Sequence, residues 1–341
     1  MRAIINCLLL VLVFSNCSSG DDKRNHEVKK DFIELVDRKG NNVVLDTIPD
    51  RVVCLFDPSI DVMYMLGVED KLVGINAETY FDKELFEYYK HIDSRIAQKE
   101  LATPGSNEML NIESLIALKP QLLIAQNLSP SVIKTLIYMG IAVYLASAES
   151  YDDLMQEMKD LSLLLGKKER GEELIAYAKD RVEDLARNAK LKTTEGKKTA
   201  YFSWANGKIF STAGRKSMMN DCLVLAGVEN VCPTDIDKPN INPETLIEWN
   251  PDMIVMWNDS PNLFYNKKEL GTIKAIADKQ IFNLVPMFYY NPHTFKSLCT
   301  ATMINGWAYP NPDINPKDEV EEIILTLYGE QNGRELLKYY L

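Results

Sequence analysis

A long helical pattern near the middle of the chain, with similar sequence on both sides of it, most constrains how this protein can fold. From Glu169 to Lys190 the apolar residues repeat with a period of 3.6, and after Gly171 no Gly or Pro interrupts the pattern. The apolar stripe consists of Leu174, Ile175, Ala178, Val182, Leu185, Ala186 and Ala189. About twenty helical residues rise roughly 30 Å, so such a helix can either join two lobes or cover one large domain.

The stretches before and after this helix resemble each other. Read in register, Asn111, Glu113, Ser114, Leu115, Ile116, Pro120 and Asn127 recur as Asn242, Glu244, Thr245, Leu246, Ile247, Pro251 and Asn258. A repeat of this kind favours two similar lobes over one large domain. We therefore predict an N-terminal lobe (31–150), an interdomain helical segment (151–197) and a C-terminal lobe (198–341).

Strand and helix patterns alternate within each predicted lobe. In the first, a hairpin (32–36 and 42–46) precedes strands at 51–56, 72–75, 121–125 and 141–145 and helices at 60–66, 111–118 and 132–139. In the second, strands are predicted at 199–204, 208–211, 253–257 and 280–285 and helices at 218–226, 245–249 and 318–328. This alternation predicts an α/β fold with two Rossmann-like lobes, each built on a parallel sheet, joined by a single long interdomain helix.

The first thirty residues are predicted to be a targeting signal followed by a tether. Arg2 precedes an apolar segment, Ala3 to Phe14, that is too short to span a membrane and ends just before Cys17. Residues 1–17 resemble a bacterial lipoprotein signal, which implies that Cys17 is lipidated; a plain secretory signal or an anchor is the alternative. Residues 18–30 are polar and should form a flexible tether. We expect an extracytoplasmic protein held by lipid to a bacterial membrane, in the periplasm or on the outer-membrane surface.

Charge and cysteine content narrow the choice of partners and sites. The net charge of −11 argues against nucleic acid as a partner, because a phosphate-binding face needs a basic excess. Of the cysteines after Cys17, Cys54 falls in an apolar strand pattern and should be buried. An oxidising compartment makes one disulfide plausible, and the sequence leaves its pairing open among Cys222, Cys232 and Cys299. The cysteine spacings do not match a zinc site.

Five motifs carry a resemblance to a known family: Ile48-Pro49-Asp50-Arg51-Val52-Val53, Leu66 to Gly74 (Leu-Gly-Val-Glu-Asp-Lys-Leu-Val-Gly), Leu118 to Ile124 (Leu-Lys-Pro-Gln-Leu-Leu-Ile), Leu225 to Val231 (Leu-Ala-Gly-Val-Glu-Asn-Val) and Trp249 to Val255 (Trp-Asn-Pro-Asp-Met-Ile-Val). In order and spacing they resemble the ABC-transporter substrate-binding proteins for iron-siderophore, haem and cobalamin complexes, across nearly all of 32–341. The resemblance implies the class III substrate-binding architecture, in which one long helix joins two α/β lobes.

The sequence contains no convincing motif for enzyme chemistry. Gly214-Arg215-Lys216-Ser217 imitates the end of a phosphate-binding loop, but the preceding glycine, Gly207, has the wrong spacing. No nucleophile elbow, His-Glu-x-x-His motif or dinucleotide glycine fingerprint is present. His91 and His293 have no partner at metal-ligand spacing. We therefore expect a non-enzymatic protein without an intrinsic cofactor and without a directly bound metal.

One pair of residues is predicted to contact a permease. Glu113 and Glu244 occupy the same position in the repeat, and the resemblance implies that one glutamate on each lobe meets arginines of the ABC permease. The alternative is that both are first-turn helix acids that stabilise the helix dipole.

The loops that follow the predicted strands form the candidate ligand site, since open α/β sheets bind ligands at the carboxyl ends of their strands. Aromatic rings there can stack on flat chelates, and Arg215 can hold an anionic group. Two tyrosines and a histidine in the 288–293 loop also offer donors for iron, as haem sites use. The alternative for each aromatic residue is ordinary packing. The candidate residues are Phe56, Asp57, Glu78, Tyr80, Phe81, Trp204, Arg215, Trp257, Tyr289, Tyr290 and His293.

The sequence thus predicts a lipid-anchored, monomeric receptor that captures an iron chelate, either a siderophore complex or haem, between two lobes and delivers it to an ABC permease. A cobalamin or other corrinoid is the alternative ligand. A tethered extracytoplasmic hydrolase is disfavoured because no nucleophile and base are found together.

Overall fold

A computed structural model of the chain describes residues 32–106, 109–147, 149–192, 196–204 and 206–339. The predicted signal peptide, the tether and Cys17 lie outside these residues. The predicted hairpin is confirmed: β1 (Ile33–Val36) and β2 (Asn42–Leu45) pair antiparallel, with Ile33 opposite Leu45. The Asp37 carboxylate closes its turn by accepting hydrogen bonds from the backbone N–H groups of Lys39 and Asn41.

The first lobe is built on a five-stranded parallel sheet with the strand order β5-β4-β3-β6-β7. The predicted strands and helices are confirmed within two to three residues. The strand β5 was not predicted, because its Ala-Thr-Pro-Gly sequence contains two residues that strands disfavour. The strands are β3 (Val52–Cys54), β4 (Leu72–Asn76), β5 (Ala102–Gly105), β6 (Leu122–Ala125) and β7 (Ala142–Leu145).

The described residues of this lobe form six α-helices, including short ones around residue 80, where no helix was predicted. The first ends where predicted, because Gly67 takes the left-handed conformation (φ 64°) that a non-glycine residue adopts only with strain. The helices are α1 (Asp57–Leu66), α2 (Glu78–Phe81), α3 (Lys83–Tyr89), α4 (Ser94–Ala97), α5 (Ile112–Ala117) and α6 (Pro130–Tyr138), with a 3-10 turn at Glu69–Lys71.

The second lobe has a four-stranded parallel sheet with the order β11-β10-β8-β9. Its strands are β8 (Thr199–Ser203), β9 (Glu229–Asn230), β10 (Met253–Trp257) and β11 (Ile281–Leu284). The prediction of a strand at 208–211 is wrong. The backbone N–H of Ser211 donates to the carbonyl of Lys208, so this stretch forms a tight turn, and Ser211 makes only an isolated bridge to Asn240.

Two helices are described in the helical segment between the lobes. The first, α7 (Tyr151–Leu164), ends before Gly166 (φ 73°), and the second, α8 (Lys168–Lys192), is the predicted long helix of 25 residues. Leu174, Ala178, Leu185 and Ala189 of the predicted stripe are buried. Gly171 lets the two helices approach closely, because a Cβ there would lie 2.3 Å from Ser162 Oγ.

The remaining helices follow in the second lobe: α9 (Met218–Leu225), α10 (Pro243–Trp249), α11 (Asn262–Tyr265), α12 (Lys274–Ala277), α13 (Ser297–Ala308) and α14 (Pro316–Leu337), with 3-10 turns at Lys268–Leu270 and Met287–Tyr290. Helix α13 was not predicted, since a helix buried on nearly every side has no amphipathic period. The last helix, α14, packs on both α13 and α1, so it contacts both lobes, and residues 32–341 form one compact unit.

The prediction of a disulfide is wrong. Cys54, Cys222, Cys232 and Cys299 are all free and buried. Cys222 lies on α9, Cys299 lies on α13, and Cys232 follows β9, so the fold distributes the thiols among separate packed elements. Burial raises the pKa of the Cys299 thiol to about 12, which leaves very little reactive thiolate.

No helix in residues 32–339, leaving aside the few positions not described, is both long and apolar enough to cross a membrane.

Candidate functional site

The carboxyl ends of the two parallel sheets meet at the boundary between the lobes. Asn258, which directly follows β10, places its amide nitrogen 3.4 Å from the carboxylate oxygens of Glu84 on α3. Phe288, four residues after β11, stacks on Tyr88 of α3 with 5.8 Å between ring centroids. Open α/β sheets bind ligands at this edge, and a ligand site here stays a prediction.

Three aromatic residues form a wall on the C-terminal lobe, which we call the tryptophan wall: Phe202, Trp204 and Trp257. Phe202 is fully buried beneath the other two, 4.8 Å from the Trp204 ring centroid and 6.3 Å from that of Trp257. The two tryptophan rings lie 6.1 Å apart, and the Trp204 indole N–H donates to the carbonyl of Thr212. Trp204 is half-buried, so this fixed ring still offers surface to a ligand.

A lysine that the sequence analysis did not select completes this wall. The Lys238 ammonium lies 4.3 Å from the centroid of the Trp204 ring, close enough for a cation–π contact. The loop that carries Lys238 runs beside the predicted Arg215 loop, where the backbone N–H of Gly214 donates to the carbonyl of Asp237. Nothing in the local sequence distinguishes Lys238 from other surface lysines; only the pairing of the two loops brings it to Trp204.

Arg215 itself is exposed and lies two residues before Ser217, the N-cap of α9. Its backbone N–H donates to the carbonyl of Thr234, which fixes the loop while leaving the guanidinium at the surface. Arg215 and Lys238 therefore supply two positive charges on the paired loops of the C-terminal lobe, which also carry Asp235 and Asp237.

On the N-terminal lobe, Asp57 begins α1 directly after β3 and its adjoining buried residues. The Asn76 amide and the Thr79 hydroxyl donate to its two carboxylate oxygens, at 3.2 and 3.3 Å. Burial, reinforced by the nearby charge of Glu78, raises the pKa of Asp57 to about 7. The predicted neighbours differ in exposure: Phe56 is buried, whereas Glu78 and Phe81 are exposed, Phe81 by 86%.

Tyr80 is held by its own lobe. Its hydroxyl donates to the carbonyl of Leu101, and its ring packs edge-on against Phe86 while the Lys99 ammonium lies 5.8 Å from its centroid. These contacts favour the packing alternative for Tyr80.

The 288–293 loop differs most from its predicted form. Tyr289 and Tyr290 are only 4% and 3% exposed and lie in a 3-10 turn. The Tyr289 hydroxyl donates to the carbonyl of Leu336 on α14, and its ring meets Tyr88 edge-on at 5.9 Å. His293 is exposed, and its backbone N–H donates to Asn291 Oδ1. The geometry favours packing for both tyrosines; a role in ligand binding stays a prediction.

A cavity of about 340 Å³ lies at this part of the lobe boundary, between α3 and residues 286–289. Its lining joins polar groups of the N-terminal lobe to aromatic rings of both lobes: Lys83, Glu84, Glu87, Tyr88, His91, Asn258, Pro286, Phe288, Tyr289 and Tyr339. The cavity has the volume of a small-molecule site.

The two predicted docking glutamates occupy equivalent positions in the two lobes. Glu113 lies in the first turn of α5 and Glu244 in the first turn of α10, and both are exposed. Each helix begins at an asparagine N-cap whose side-chain oxygen accepts a backbone hydrogen bond, Asn111 from Ser114 and Asn242 from Thr245. The repeat thus folds into two matching helix starts, each presenting one carboxylate to solvent.

Comparisons with known proteins identify the family of this chain. A family model described as periplasmic binding protein matches residues 52–286. One relative, the uncharacterized ABC transporter substrate-binding lipoprotein YvrC of Bacillus subtilis, is 22% identical over 289 residues, which cover 82% of this chain and 88% of YvrC. Another, the molybdate-binding protein MolA of Haemophilus influenzae, is 25% identical over 352 residues, covering 93% of this chain and 87% of MolA.

The fold is also found in solved structures. A periplasmic solute binding protein from Veillonella parvula superposes with a TM-score of 0.74 at 21% identity, covering 88% of this chain and 93% of that protein. The family model matches more than half of the chain, which is enough to assign the family. This chain belongs to the periplasmic binding protein family, whose members are non-enzymatic, extracytoplasmic carriers that deliver small molecules to ABC permeases.

Proposed function

We propose that this protein captures an iron chelate, either a siderophore complex or haem, at the lobe boundary and delivers it to its ABC permease. The tryptophan wall with its lysine is the observation that supports this ligand class. A half-buried indole held by a hydrogen bond to Thr212 is a preformed stacking surface, and Lys238 beside it favours a ligand with negative charge. Ferric siderophores and haem combine flat or apolar parts with anionic oxygens.

The facing side of the boundary supports the same class. Asp57 is half-buried and Phe81 is highly exposed at the carboxyl ends of β3 and β4. The exposed phenyl ring offers apolar surface that a ligand can cover. A ligand that touches both lobes would thus find an aromatic surface on each side and positive charge on one.

Cobalamin is the second candidate, because it also combines a broad planar ring system with an anionic phosphate. Molybdate, the ligand in MolA's name, is a small oxyanion that needs cationic and N–H donors but no aromatic surface. These ligands differ in size and optical absorption, so one experiment separates them.

The experiment is a titration of the domain from residue 32 onward with haemin, a ferric tris-catecholate complex, cyanocobalamin and molybdate, followed by tryptophan fluorescence. Haemin or the ferric complex should quench the emission saturably, and Trp204→Phe should remove much of this signal. Trp307→Phe is the matched control, because that ring stacks on Phe282. Saturable binding of cyanocobalamin or molybdate alone would contradict the iron-chelate proposal.

We further propose that Glu113 and Glu244 contact basic residues of the permease. Changing both to Lys should abolish uptake and leave ligand affinity unchanged, because both carboxylates are exposed on helix starts. Glu248→Lys, an equally exposed change on α10 outside its first turn, is the control. Normal uptake by the double variant would show that the two glutamates only stabilise their helices.

Attachment to the membrane through a lipid on Cys17 is the last part of the proposal. Cys17→Ala should release the protein from the membrane fraction while leaving the folded domain able to bind ligand. Retention of the variant in the membrane fraction would argue for a different anchor.

A further inference from the structure

Five ionisable side chains outside the tryptophan wall form one buried network across the lobe boundary. Lys296, just before α13, places its ammonium 2.6 Å from Asp61 Oδ2 on α1. The same ammonium donates to the Tyr88 hydroxyl at 3.0 Å, and that hydroxyl donates to the Tyr328 hydroxyl of α14 at 2.9 Å. The Tyr89 hydroxyl lies 3.3 Å from Asp61 Oδ1. We call these five residues the interlobe network.

This network is almost completely shielded from water. The side chains of Lys296 and Asp61 are 1% and 2% exposed, and none of the three tyrosines exceeds 6%. A buried charge without a partner is strongly destabilising, so each of the two charges depends on the other remaining in place.

The partners of Lys296 belong to the opposite lobe. Lys296 follows the second sheet, whereas both groups that receive hydrogen bonds from its ammonium, Asp61 and Tyr88, belong to the first lobe. Any movement of the lobes that lengthened these contacts would strand a charge in the interior. By contrast, the Asn258–Glu84 contact across the boundary is long, at 3.4 Å, and exposed, so water can replace it.

Aromatic packing reinforces the same point of contact. The Tyr88 ring lies 4.2 Å from the Lys296 ammonium, stacks on Phe288 and meets Tyr289 edge-on. One side chain of α3 is therefore enclosed by three groups of the other lobe, which fixes its position in direction as well as in distance.

We propose that the interlobe network holds the two lobes in one relative orientation at α3, independently of the long helix α8. Lobe motion is then confined to the part of the boundary away from α3. This inference does not depend on which ligand the protein carries.

The test measures the distance between the lobes directly. In the domain from residue 32 onward, spin labels are attached at Lys134→Cys on α6 and Glu248→Cys on α10, two exposed positions, while the four native thiols of this domain are buried. Double electron–electron resonance should give one narrow distance distribution. In the background of Asp61→Leu with Lys296→Met, which removes both charges and keeps the volume filled, we expect a broader or shifted distribution without a loss of melting temperature.

Two further variants make the test decisive. Lys274→Met breaks the Lys274–Asp252 ion pair within the C-terminal lobe and should leave the distribution unchanged. Tyr88→Phe with Tyr328→Phe keeps the rings and both charges but removes the linking hydroxyls, and it should also broaden the distribution. If the charge-free variant fails to fold, this tyrosine pair decides the question. A distribution that stays as narrow as the parent's in the folded variants overturns the proposal.

Discussion

The two aromatic groups at the lobe boundary, the tryptophan wall and the Tyr289–Tyr290 pair, look alike in sequence and differ in structure. The wall lies at the carboxyl ends of β8 and β10, and the tyrosine pair follows β11 of the same sheet, where ligand contacts are expected. Trp204 remains half-buried with a lysine over its ring, whereas Tyr289 and Tyr290 are buried between α3, α13 and α14. An aromatic residue at a strand end is therefore a binding candidate only if the other lobe leaves it uncovered.

The largest expected effect separates these groups by stability. Tyr289→Ala removes a buried ring and should lower the free energy of unfolding by about 3–5 kcal/mol, because it leaves a cavity at the lobe boundary. Trp204→Ala should cost only about 1–2 kcal/mol, because much of that ring is already in contact with water. Urea denaturation of both variants measures the difference. Equal losses of stability in the two variants would contradict the difference in burial between Tyr289 and Trp204.

A buried carboxylate next to the boundary gives the second effect. Glu157 on α7 is 2% exposed and accepts a hydrogen bond from the Ser59 hydroxyl, and burial raises its pKa to about 7. Between about pH 4 and 7 the unfolded chain loses this proton while the folded protein keeps it. Stability from this group is thus full below about pH 4, falls as pH rises, and is lost above about pH 7, by on the order of 2–3 kcal/mol.

Glu157→Gln should remove this part of the pH dependence, as measured by melting temperature across the range. Glu113→Gln, at an exposed position, serves as the control. Parallel curves for Glu157→Gln and the parent protein would mean that water reaches Glu157 in solution.

Ligand affinity should depend on Trp204 and not on the Tyr289 hydroxyl. Trp204→Ala should weaken binding of the chelate about tenfold, roughly 1.4 kcal/mol, through loss of stacking. Tyr289→Phe removes only the hydroxyl that donates to Leu336 and should bind like the parent. Weaker binding in Tyr289→Phe, together with shifted absorption bands of the complex that still forms, would instead identify a phenolate ligand to iron.

The smallest expected effect is lobe closure. The 25-residue α8 and the interlobe network both resist bending, so small-angle scattering curves with and without ligand should nearly coincide. A large compaction on ligand addition would show that neither element restrains the lobes.

Local patterns predicted much of the fold because short-range physics determines them. The 3.6-residue stripe of α8, the asparagine N-caps of the repeat and the glycine end of α1 each depend on neighbours a few residues away. Where neighbours in space decided the outcome, prediction failed. Helix α13 has no periodic pattern because it is buried all round, and residues 208–211 turn back on themselves.

For the candidate site, too, some features follow from the sequence and others only from the tertiary structure. By itself the sequence determined two lobes, the long helix between them, the family, and the sheet edge at which a ligand should be sought. Only the tertiary structure placed Lys238 over Trp204, buried Tyr289 under α14 and joined Lys296 to Asp61. The reason is physical: exposure and charge pairing depend on which segments pack together in space, and the contact between the lobes joins residues more than two hundred positions apart.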